Sequence, residues 1–221
     1  MKPSSHTSSP RTLFAVFLFL FSSLACSATP LAEYVVASGG VLYQDDFSES
    51  KDGWGEFSGD VGIAGYSDQA YRFYVKAENV SIWAHPGVDF ATVRLEADTY
   101  SPNGFQENRM GLVCRMQDDK NFYFFIITSD GYYGIGKARD GQWSLLNGEQ
   151  MQSSDAILTG QLANHLRADC IGNLLILYAN GHLVGSALDT DFARGDVGVL
   201  AGSSAAPGAD VYFDNFVVVK P

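Results

Sequence analysis

The sequence has little of what nucleic-acid-binding proteins and several enzyme classes need. It holds 14 Lys and Arg residues against 25 Asp and Glu, a formal net charge of −11, and an acidic chain repels nucleic acid. It contains no HxH or HExxH spacing for a transition metal, no GxSxG nucleophile motif and no P-loop lysine. Beyond residue 40 no segment approaches the roughly 18 consecutive apolar residues of a membrane-spanning helix.

The first 25 residues have the three-part layout of a secretory signal peptide. Lys2 and Arg11 precede an uninterrupted apolar run over 13–21, and small residues follow at 22–25. We therefore predict a signal peptide over 1–25, a flexible tether over 26–40 and one folded domain over 41–221. This layout predicts an extracytoplasmic protein.

Two processing routes fit Cys26. Ordinary cleavage leaves Cys26 at the new N-terminus of a secreted or periplasmic protein. The Leu-Ala-Cys segment also resembles a bacterial lipobox, although Ser23 stands where a large apolar residue is preferred. Lipidation of Cys26 would give an outer-membrane or cell-surface lipoprotein. This lipid anchor is the only membrane contact that we expect. We also predict that the protein is a monomer.

The sequence has only three cysteines, and two of them lie in alternating strand patterns. Cys114 and Cys170 share the apolar phase of their segments, and neither has a neighbouring His or Lys that would favour a reactive thiolate. An oxidising compartment favours a buried disulfide between them. The alternative is two separate buried thiols that pack as small hydrophobic side chains.

Short alternating segments punctuated by turns predict an all-β protein. Asp140–Gly141 and Asn180–Gly181 are two-residue hairpin signals, and no helical stretch is long enough to connect parallel strands. The sheets should therefore be antiparallel and stacked as a two-sheet β-sandwich or jelly roll. The predicted strands include residues 71–76, 92–100, 109–116, 121–128, 132–138, 142–146, 165–171, 174–178, 182–188, 195–201 and 211–219. Residues 121–128 are apolar on both faces, which indicates a central strand, and a short helical turn is expected only near 159–163.

A series of motifs carries a family resemblance over about residues 41–221. They are, in order, DDFS at 45–48 with Gly53–Trp54, NFY at 121–123, SDGYY at 129–133, Asn180–Gly181, GDVG at 195–198 and FDNFV at 213–217. This order resembles the concanavalin A-like lectin/glucanase superfamily, and within it the laminin-G-like, exo-inulinase C-terminal-type and 3-keto-disaccharide hydrolase-like jelly rolls. The fold hosts lectins, glycosidases, adhesion modules and structural domains.

The resemblance also implies a pairing of the first and last strands. That pairing would bring Asp46 and Asp214 together, where they could hold a structural Ca²⁺; the alternative is that Asp214 caps a neighbouring loop. No other cofactor is expected. The sandwich glucanases resemble an E-x-D-x-E strand, and here Glu96 and Asp98 share a face while Tyr100 replaces the third acid. The carboxylate set is incomplete, so we expect a non-catalytic protein.

Aromatic side chains supply the candidate binding surface. Sugars stack their apolar faces on aromatic rings. Trp143 follows a turn, which favours an exposed position. Tyr132 and Tyr133 point to opposite faces of their strand, so at most one of them is exposed on a given side of the sheet. The candidate ligand-binding residues are Arg109, Arg115, Tyr133, Trp143, Glu96 and Asp98. The competing interpretation is that most aromatics of a sandwich, Trp54 included, belong to the core. We predict a module that binds a polysaccharide or oligosaccharide; the alternatives are an adhesion-type protein-interaction domain and a glycoside hydrolase-like enzyme.

Overall fold

The computed structural model of the chain describes residue 1 and residues 38–51, 53–103 and 107–221. The signal peptide beyond its first residue, the lipidation of Cys26 and most of the predicted tether lie outside the described residues and stay predictions. Within the described ranges, no helix has the length and apolar character needed to cross a membrane.

The described part of the chain forms sixteen strands. They are β1 (Val41–Asp45), β2 (Phe57–Ser58), β3 (Gly62–Ser67), β4 (Ala70–Val75), β5 (Ser81–Ala84), β6 (Val93–Tyr100), β7 (Arg109–Asp118), β8 (Asn121–Thr128), β9 (Tyr132–Arg139), β10 (Gln142–Leu145), β11 (Gln152–Ser153), β12 (Asn164–Ile171), β13 (Leu174–Ala179), β14 (His182–Leu188), β15 (Asp196–Gly202) and β16 (Ala209–Val219). Every strand foreseen from the sequence is present, which confirms the all-β prediction. The short strands β1, β2, β3, β5 and β11 were not foreseen.

Two antiparallel sheets stack as a β-sandwich. In the described residues, the nine-stranded sheet runs in the order β14-β13-β12-β6-β16-β4-β3-β2, with β1 also paired to β16. The seven-stranded sheet runs β10-β9-β8-β7-β15-β5, with β11 also paired to β9. Neighbours that are distant in sequence, such as β15 between β7 and β5, give the jelly-roll connectivity that the sequence predicted.

The apolar sides of the two sheets face each other and form the main core. Trp54 is buried, as expected, and packs edge-on against Phe47 and Phe216, with ring centroids 5.0 and 5.2 Å away. The hydroxyl of buried Tyr71 donates to the carbonyl of Gly55. This aromatic cluster seals one end of the sandwich, where the first and last strands meet.

Strands β1 and β16 pair antiparallel, and a β-bulge in β16 corrects one detail of the expected pattern. Simple alternation places Phe213 and Phe216 on opposite faces, yet both are buried in the main core. The bulge lies between Asp214 and Val217 in the pairing with β6, and Asn215 adopts a φ of 52° there. The extra residue shifts the phase, so the strand stays apolar toward the core on both sides of the bulge.

Residues 159–163 form turns rather than a helix.

A disulfide between Cys114 on β7 and Cys170 on β12 joins the two sheets across the core. Both cysteines are buried, and they are separated by 56 residues in the sequence. The predicted pairing is confirmed. A crosslink that closes a loop of this length restricts the unfolded chain strongly, which stabilises the folded state relative to it.

Replacing both cysteines, Cys114→Ala with Cys170→Ala, should lower the free energy of unfolding by about 2–4 kcal/mol. Urea unfolding followed by tryptophan fluorescence measures the change. Adding a reductant should bring the parent protein close to the double variant and leave the double variant unaffected. A parent protein that is insensitive to reductant during unfolding would contradict the crosslink's role.

The segment that follows β5 is held by a buried carboxylate at the start of β15. Asp196 Oδ2 lies 2.6 Å from His85 Nδ1 and accepts a hydrogen bond from the amide of Gly87, while its Oδ1 accepts from the amide of Val88. The hydrogen bond that protonated His85 donates to Asp196 raises the pKa of His85 above its ordinary value, against the opposing effect of partial burial. Protonated His85 therefore stabilises this junction.

Because the pKa of His85 is raised in the folded state, its contribution is fully present below the unfolded value of about 6.5 and is lost as the pH rises through the folded value. We expect the unfolding free energy to fall over that interval by under about 1 kcal/mol, since the imidazole is partly exposed. Urea titrations from pH 5.5 to 8.5 should show this slope in the parent and a flatter one in His85→Gln. Identical slopes would show that the pair does not contribute.

Candidate functional site

The outer face of the seven-stranded sheet carries a second apolar cluster. The strands alternate, so Tyr123 and Phe125 of β8 face the main core while Phe122, Phe124 and Ile126 face outward. Buried residues of the outer cluster are Val113, Met116, Phe122, Phe124, Ile126, Ala138 and Leu200, with Trp83, Leu145 and Met151 packed against them. This confirms that β8 is covered on both faces. These large apolar side chains are buried, so only the residues that remain exposed above them can contact a ligand.

Glycines of β9 make room for this outer cluster. A Cβ atom at Gly136 would lie 2.3 Å from Cζ of Phe124 and 2.4 Å from the backbone oxygen of Ser144. A Cβ atom at Gly134 would lie 2.7 Å from a methyl carbon of Leu145. The absence of side chains at Gly134 and Gly136 leaves room on this face of β9 for Leu145 and for Phe124, the ring on which Trp143 stacks.

Trp143 lies on top of this floor. Its ring stacks on Phe124 at 4.7 Å with an interplanar angle of 30° and meets Phe122 edge-on at 5.4 Å. Trp83 flanks it at 6.1 Å, and the Trp83 indole N–H donates to Asp119 Oδ1 at 3.2 Å. Trp143 remains 41% exposed although it is held on several sides. The result is a rigid aromatic surface open to solvent.

Beside these rings lies an open cavity of about 580 Å³. Its lining residues are Asn79, Val80, Ser81, Trp83, Arg109, Phe124, Ile126, Trp143, Ser144, Leu145 and Met151. Most of the lining is apolar, and Asn79, Ser81 and Ser144 add an amide and two hydroxyl groups. Such a composition is typical of a small-molecule site in which apolar walls supply affinity and a few polar groups fix orientation.

Arg109 at the start of β7 is the only charged residue among those that line this cavity. Its Nη1 and Nη2 donate to the hydroxyls of Ser81 and Ser204 at 3.3 and 3.4 Å, which are long hydrogen bonds. Burial lowers the pKa of the Arg109 guanidinium, although the charge of Glu107 acts in the opposite direction. The group is therefore a partly desolvated cation at the edge of an aromatic surface.

A second cavity of about 300 Å³ shares Arg109 and Met151 with the first. It adds Tyr132, which is exposed, and the acidic residues Glu107 and Asp130. The two cavities meet at Arg109 and Met151, with Trp143 lining the first and Tyr132 the second. An extended ligand would contact both.

Gly136→Ala should destabilise the protein by about 1–3 kcal/mol, because the new methyl group would meet the Phe124 ring and the β10 backbone. It should also alter the fluorescence emission of Trp143, because the Phe124 ring on which the indole stacks would move. Gly55→Ala is the matched control, since a Cβ atom there would meet nothing within 4 Å. Equal unfolding midpoints for the two variants would contradict the proposed packing role.

The structure brings together only two of the six predicted ligand-binding residues, Arg109 and Trp143. Arg115 lies in a β-bulge with a φ of 51°, is buried, and donates to the carbonyls of Ala91 and Phe192. Tyr133 faces the main core, and its hydroxyl donates to Gln152 Oε1 at 2.7 Å. The expectation that Arg115 and Tyr133 face a ligand is thus corrected. A β-bulge decides the placement of Arg115, and the alternation of side chains along β9 decides the placement of Tyr133.

Glu96 and Asp98 lie on the other sheet, in β6, and therefore cannot join Trp143 in one site. Both contact His165 of β12, whose Nδ1 is 2.8 Å from Asp98 Oδ1 and whose Nε2 is 3.4 Å from Glu96 Oε2. Asn215 donates to the second oxygen of Asp98 at 2.9 Å. The expectation that these two acids line the same face as the aromatics is wrong, because β6 belongs to the nine-stranded sheet and β10, which carries Trp143, to the seven-stranded sheet.

The predicted calcium ligands, Asp46 and Asp214, interact electrostatically. The pKa of Asp214 is raised by burial first and then by the charges of Asp98 and Asp46. Asp214 also accepts a hydrogen bond from the Asn215 amide at 2.6 Å, which fits the alternative loop-capping role. Over the described ranges, no group of three or more His, Cys, Asp or Glu side chains is arranged to hold a metal ion. The residues present do not supply a recognisable calcium site, and calcium stays a prediction.

Several residues of the site were not singled out from the sequence. Phe124 and Ile126 were visible as the second apolar face of β8, but their pattern did not show what covers them. Ser81 and Met151 carry no sequence signal, because they reach the cavity from β5 and from the segment after β10. Only the sheet order places these distant segments at one surface.

No protein-family model and no curated protein matches the chain. Among solved structures, the domain is similar to the carbohydrate binding module CBM66 from Bacillus subtilis, with a TM-score of 0.61 and 17% identity over 76% of this chain and 96% of that one. It is also similar to a Bacillus subtilis protein of unknown function with a galectin-like fold, with a TM-score of 0.60 and 12% identity over 83% and 97% of the two chains. A Bacteroides ovatus GH16 protein gives a TM-score of 0.58 and 10% identity over 81% and 100%. These similarities show the fold, a concanavalin A-like β-sandwich.

Proposed function

We propose that this concanavalin A-like β-sandwich is an exported, non-catalytic module that binds carbohydrate on the outer face of its seven-stranded sheet. The observation that carries the proposal is Trp143, a partly exposed indole held flat over a buried aromatic floor beside Arg109. A fixed aromatic ring loses little conformational entropy when a ligand covers it. The carbohydrate-binding module among the similar structures is consistent with this use of the fold.

The chemistry of the cavity suits a sugar ring. Pyranose and furanose rings present apolar C–H faces, which pack on Trp143 and Trp83, and they carry hydroxyl groups around their rims. Asn79, Ser81 and Ser144 lie at the margin of the same cavity and offer hydrogen-bonding groups for those hydroxyls. The adjoining cavity around Tyr132 would accept a second sugar unit, so an oligosaccharide or polysaccharide fits better than a monosaccharide.

The non-catalytic part of the proposal is supported by where the carboxylates lie. Glycoside hydrolysis generally requires two carboxyl groups on either side of the scissile bond. The residues that line the cavity beside Trp143 include no Asp or Glu. The Glu96 and Asp98 pair lies on the other sheet with His165 contacting both acids, which disfavours a hydrolase-like use of that pair.

A protein-interaction domain is the second candidate function. Its support is the exposure of Leu183 and Leu188 on β14, the outermost strand of the nine-stranded sheet. An edge strand with exposed apolar side chains offers both backbone hydrogen bonds and apolar surface to a partner. The Cys114–Cys170 disulfide agrees with an extracytoplasmic location for either function.

A glycan-array screen of the purified protein, with and without EDTA, tests the carbohydrate proposal. Trp143→Ala should lower affinity for the bound polysaccharide about tenfold or more, which corresponds to about 1.4 kcal/mol for the lost stacking surface. Phe57→Ala is the matched control, because Phe57 is 44% exposed but lies on the other sheet. Loss of binding in EDTA would support the predicted calcium.

Two results would contradict the proposal. One is binding that survives Trp143→Ala while the variant keeps the parent unfolding midpoint. The other is the absence of binding to any array member, with or without EDTA. In that second case, capture of an envelope protein that is lost on Leu183→Asp would support the interaction-domain alternative.

A further inference from the structure

We infer that the ligand of the Trp143 cavity is an acidic glycan, whose anionic substituent, a carboxylate or a sulfate ester, is bound by Arg109. This inference rests on the proposed carbohydrate function and narrows its substrate class. It is carried by the pairing of the arginines across the whole described structure and by the charges around the cavity.

The structure describes seven arginines, and five of them have an acidic partner. These pairs are Arg72 with Asp210, Arg94 and Arg167 with Asp169, Arg139 with Asp191, and Arg194 with Asp89. Arg115 instead donates to two backbone carbonyls. In a chain with 25 acidic residues against 14 Lys and Arg, Arg109 is the described arginine with neither kind of partner.

The contacts that Arg109 does make leave most of its hydrogen-bonding capacity free. A guanidinium has five N–H donors in a planar fork that matches carboxylate and sulfate oxygens. Arg109 uses two of its nitrogens on serine hydroxyls at 3.3 and 3.4 Å. Partial burial also removes water from the group, which is the cause of its lowered pKa. A cation that has lost water without forming an ion pair is unfavourable, and an anionic ligand would correct this.

The charges nearby set the side from which the anion would approach. No residue lining the Trp143 cavity is acidic, whereas Glu107 and Asp130 line the adjoining cavity on the Tyr132 side. An anion is therefore favoured between Arg109 and Trp143 and disfavoured beyond Arg109. In an oligosaccharide, a uronic acid or sulfated sugar would give its anionic group to the guanidinium, and another sugar unit would pack its apolar C–H face on the indole.

The net charge of −11 makes the test of this inference more specific. The overall field of the protein repels polyanions, so nonspecific attraction cannot produce binding to an acidic glycan. Selective binding of such a glycan would have to come from a local contact. The fork geometry of Arg109 supplies that contact, and lysine at this position would keep the charge but lose the two parallel hydrogen bonds.

Isothermal titration with matched probes tests the inference. The probes are oligogalacturonate and its methyl ester, alginate oligosaccharides, sulfated carrageenan oligosaccharides and neutral galacto- and cello-oligosaccharides. We expect one acidic probe to bind at least about tenfold more tightly than its neutral counterpart. Arg109→Gln should abolish that difference and Arg109→Lys should retain part of it. Arg194→Gln, the same change at an exposed arginine paired with Asp89, should leave the preference unchanged.

The two probe arms separate the sources of the anion. A preference for oligogalacturonate or alginate assigns a carboxylate, and a preference for carrageenan assigns a sulfate ester. Equal affinity of Arg109→Gln and the parent for an acidic probe, with equal unfolding midpoints, would overturn the inference. So would equal binding of acidic and neutral probes by the parent.

The outcomes also distinguish this inference from the proposed function. Neutral glycans that bind through Trp143, with no effect of Arg109→Gln, would leave the carbohydrate module intact and remove the acidic specificity. Failure of every probe, acidic and neutral, in both the titration and the array would remove the carbohydrate function itself, and this inference with it.

Discussion

Burial of apolar side chains on both faces of the seven-stranded sheet is the constraint on which the rest of this structure depends. One face of β8 contributes Tyr123 and Phe125 to the main core, and the other contributes Phe122 and Phe124 to the outer cluster. The outer face needs a cover to keep these rings from water, and the β9–β10 hairpin and Trp83 provide one. Because the cover is incomplete, Trp143 remains partly exposed and a cavity opens beside it. The candidate site is thus a consequence of how the sheet is covered.

The charged residues of both sheets are mostly paired, as Arg139 of the seven-stranded sheet is with Asp191, but Arg109 is not. On the outer face of the nine-stranded sheet they form closed pairs, such as Arg72 with Asp210 and the contacts of His165 with Glu96 and Asp98. Surface pairs of this kind contribute little to stability but leave few groups free for a ligand. On the seven-stranded sheet, Arg109 has only hydroxyl contacts. That difference locates the site more sharply than the aromatic residues do, since aromatic residues also fill the core.

Particular residues show how far sequence patterns reach. The disulfide, the hairpins at Asp140–Gly141 and Asn180–Gly181 and the two-faced strand β8 follow from alternation and from residues that tolerate positive φ, and all of them are present. The prediction for Arg115 failed at a β-bulge in the pairing of β7 with β15, and a second bulge at Asn215 reverses the simple alternation of β16; each bulge holds one extra residue. The grouping of Glu96 and Asp98 with Trp143 failed for a different reason. Alternation tells which residues share a face of one strand, but not which sheet that strand joins.

The sequence alone determined the all-β class, most of the strands, the buried cysteine pair and the identity of Arg109 and Trp143 as candidates. Each of these follows from local chemistry or from a simple period along the chain. Only the tertiary structure decided that Arg109 and Trp143 share a cavity, that Tyr133 and Arg115 are buried, and that Ser81 and Met151 complete the lining. Those facts depend on the order of strands in the two sheets. Strand order is set by the packing of residues far apart in sequence, for which no local pattern exists.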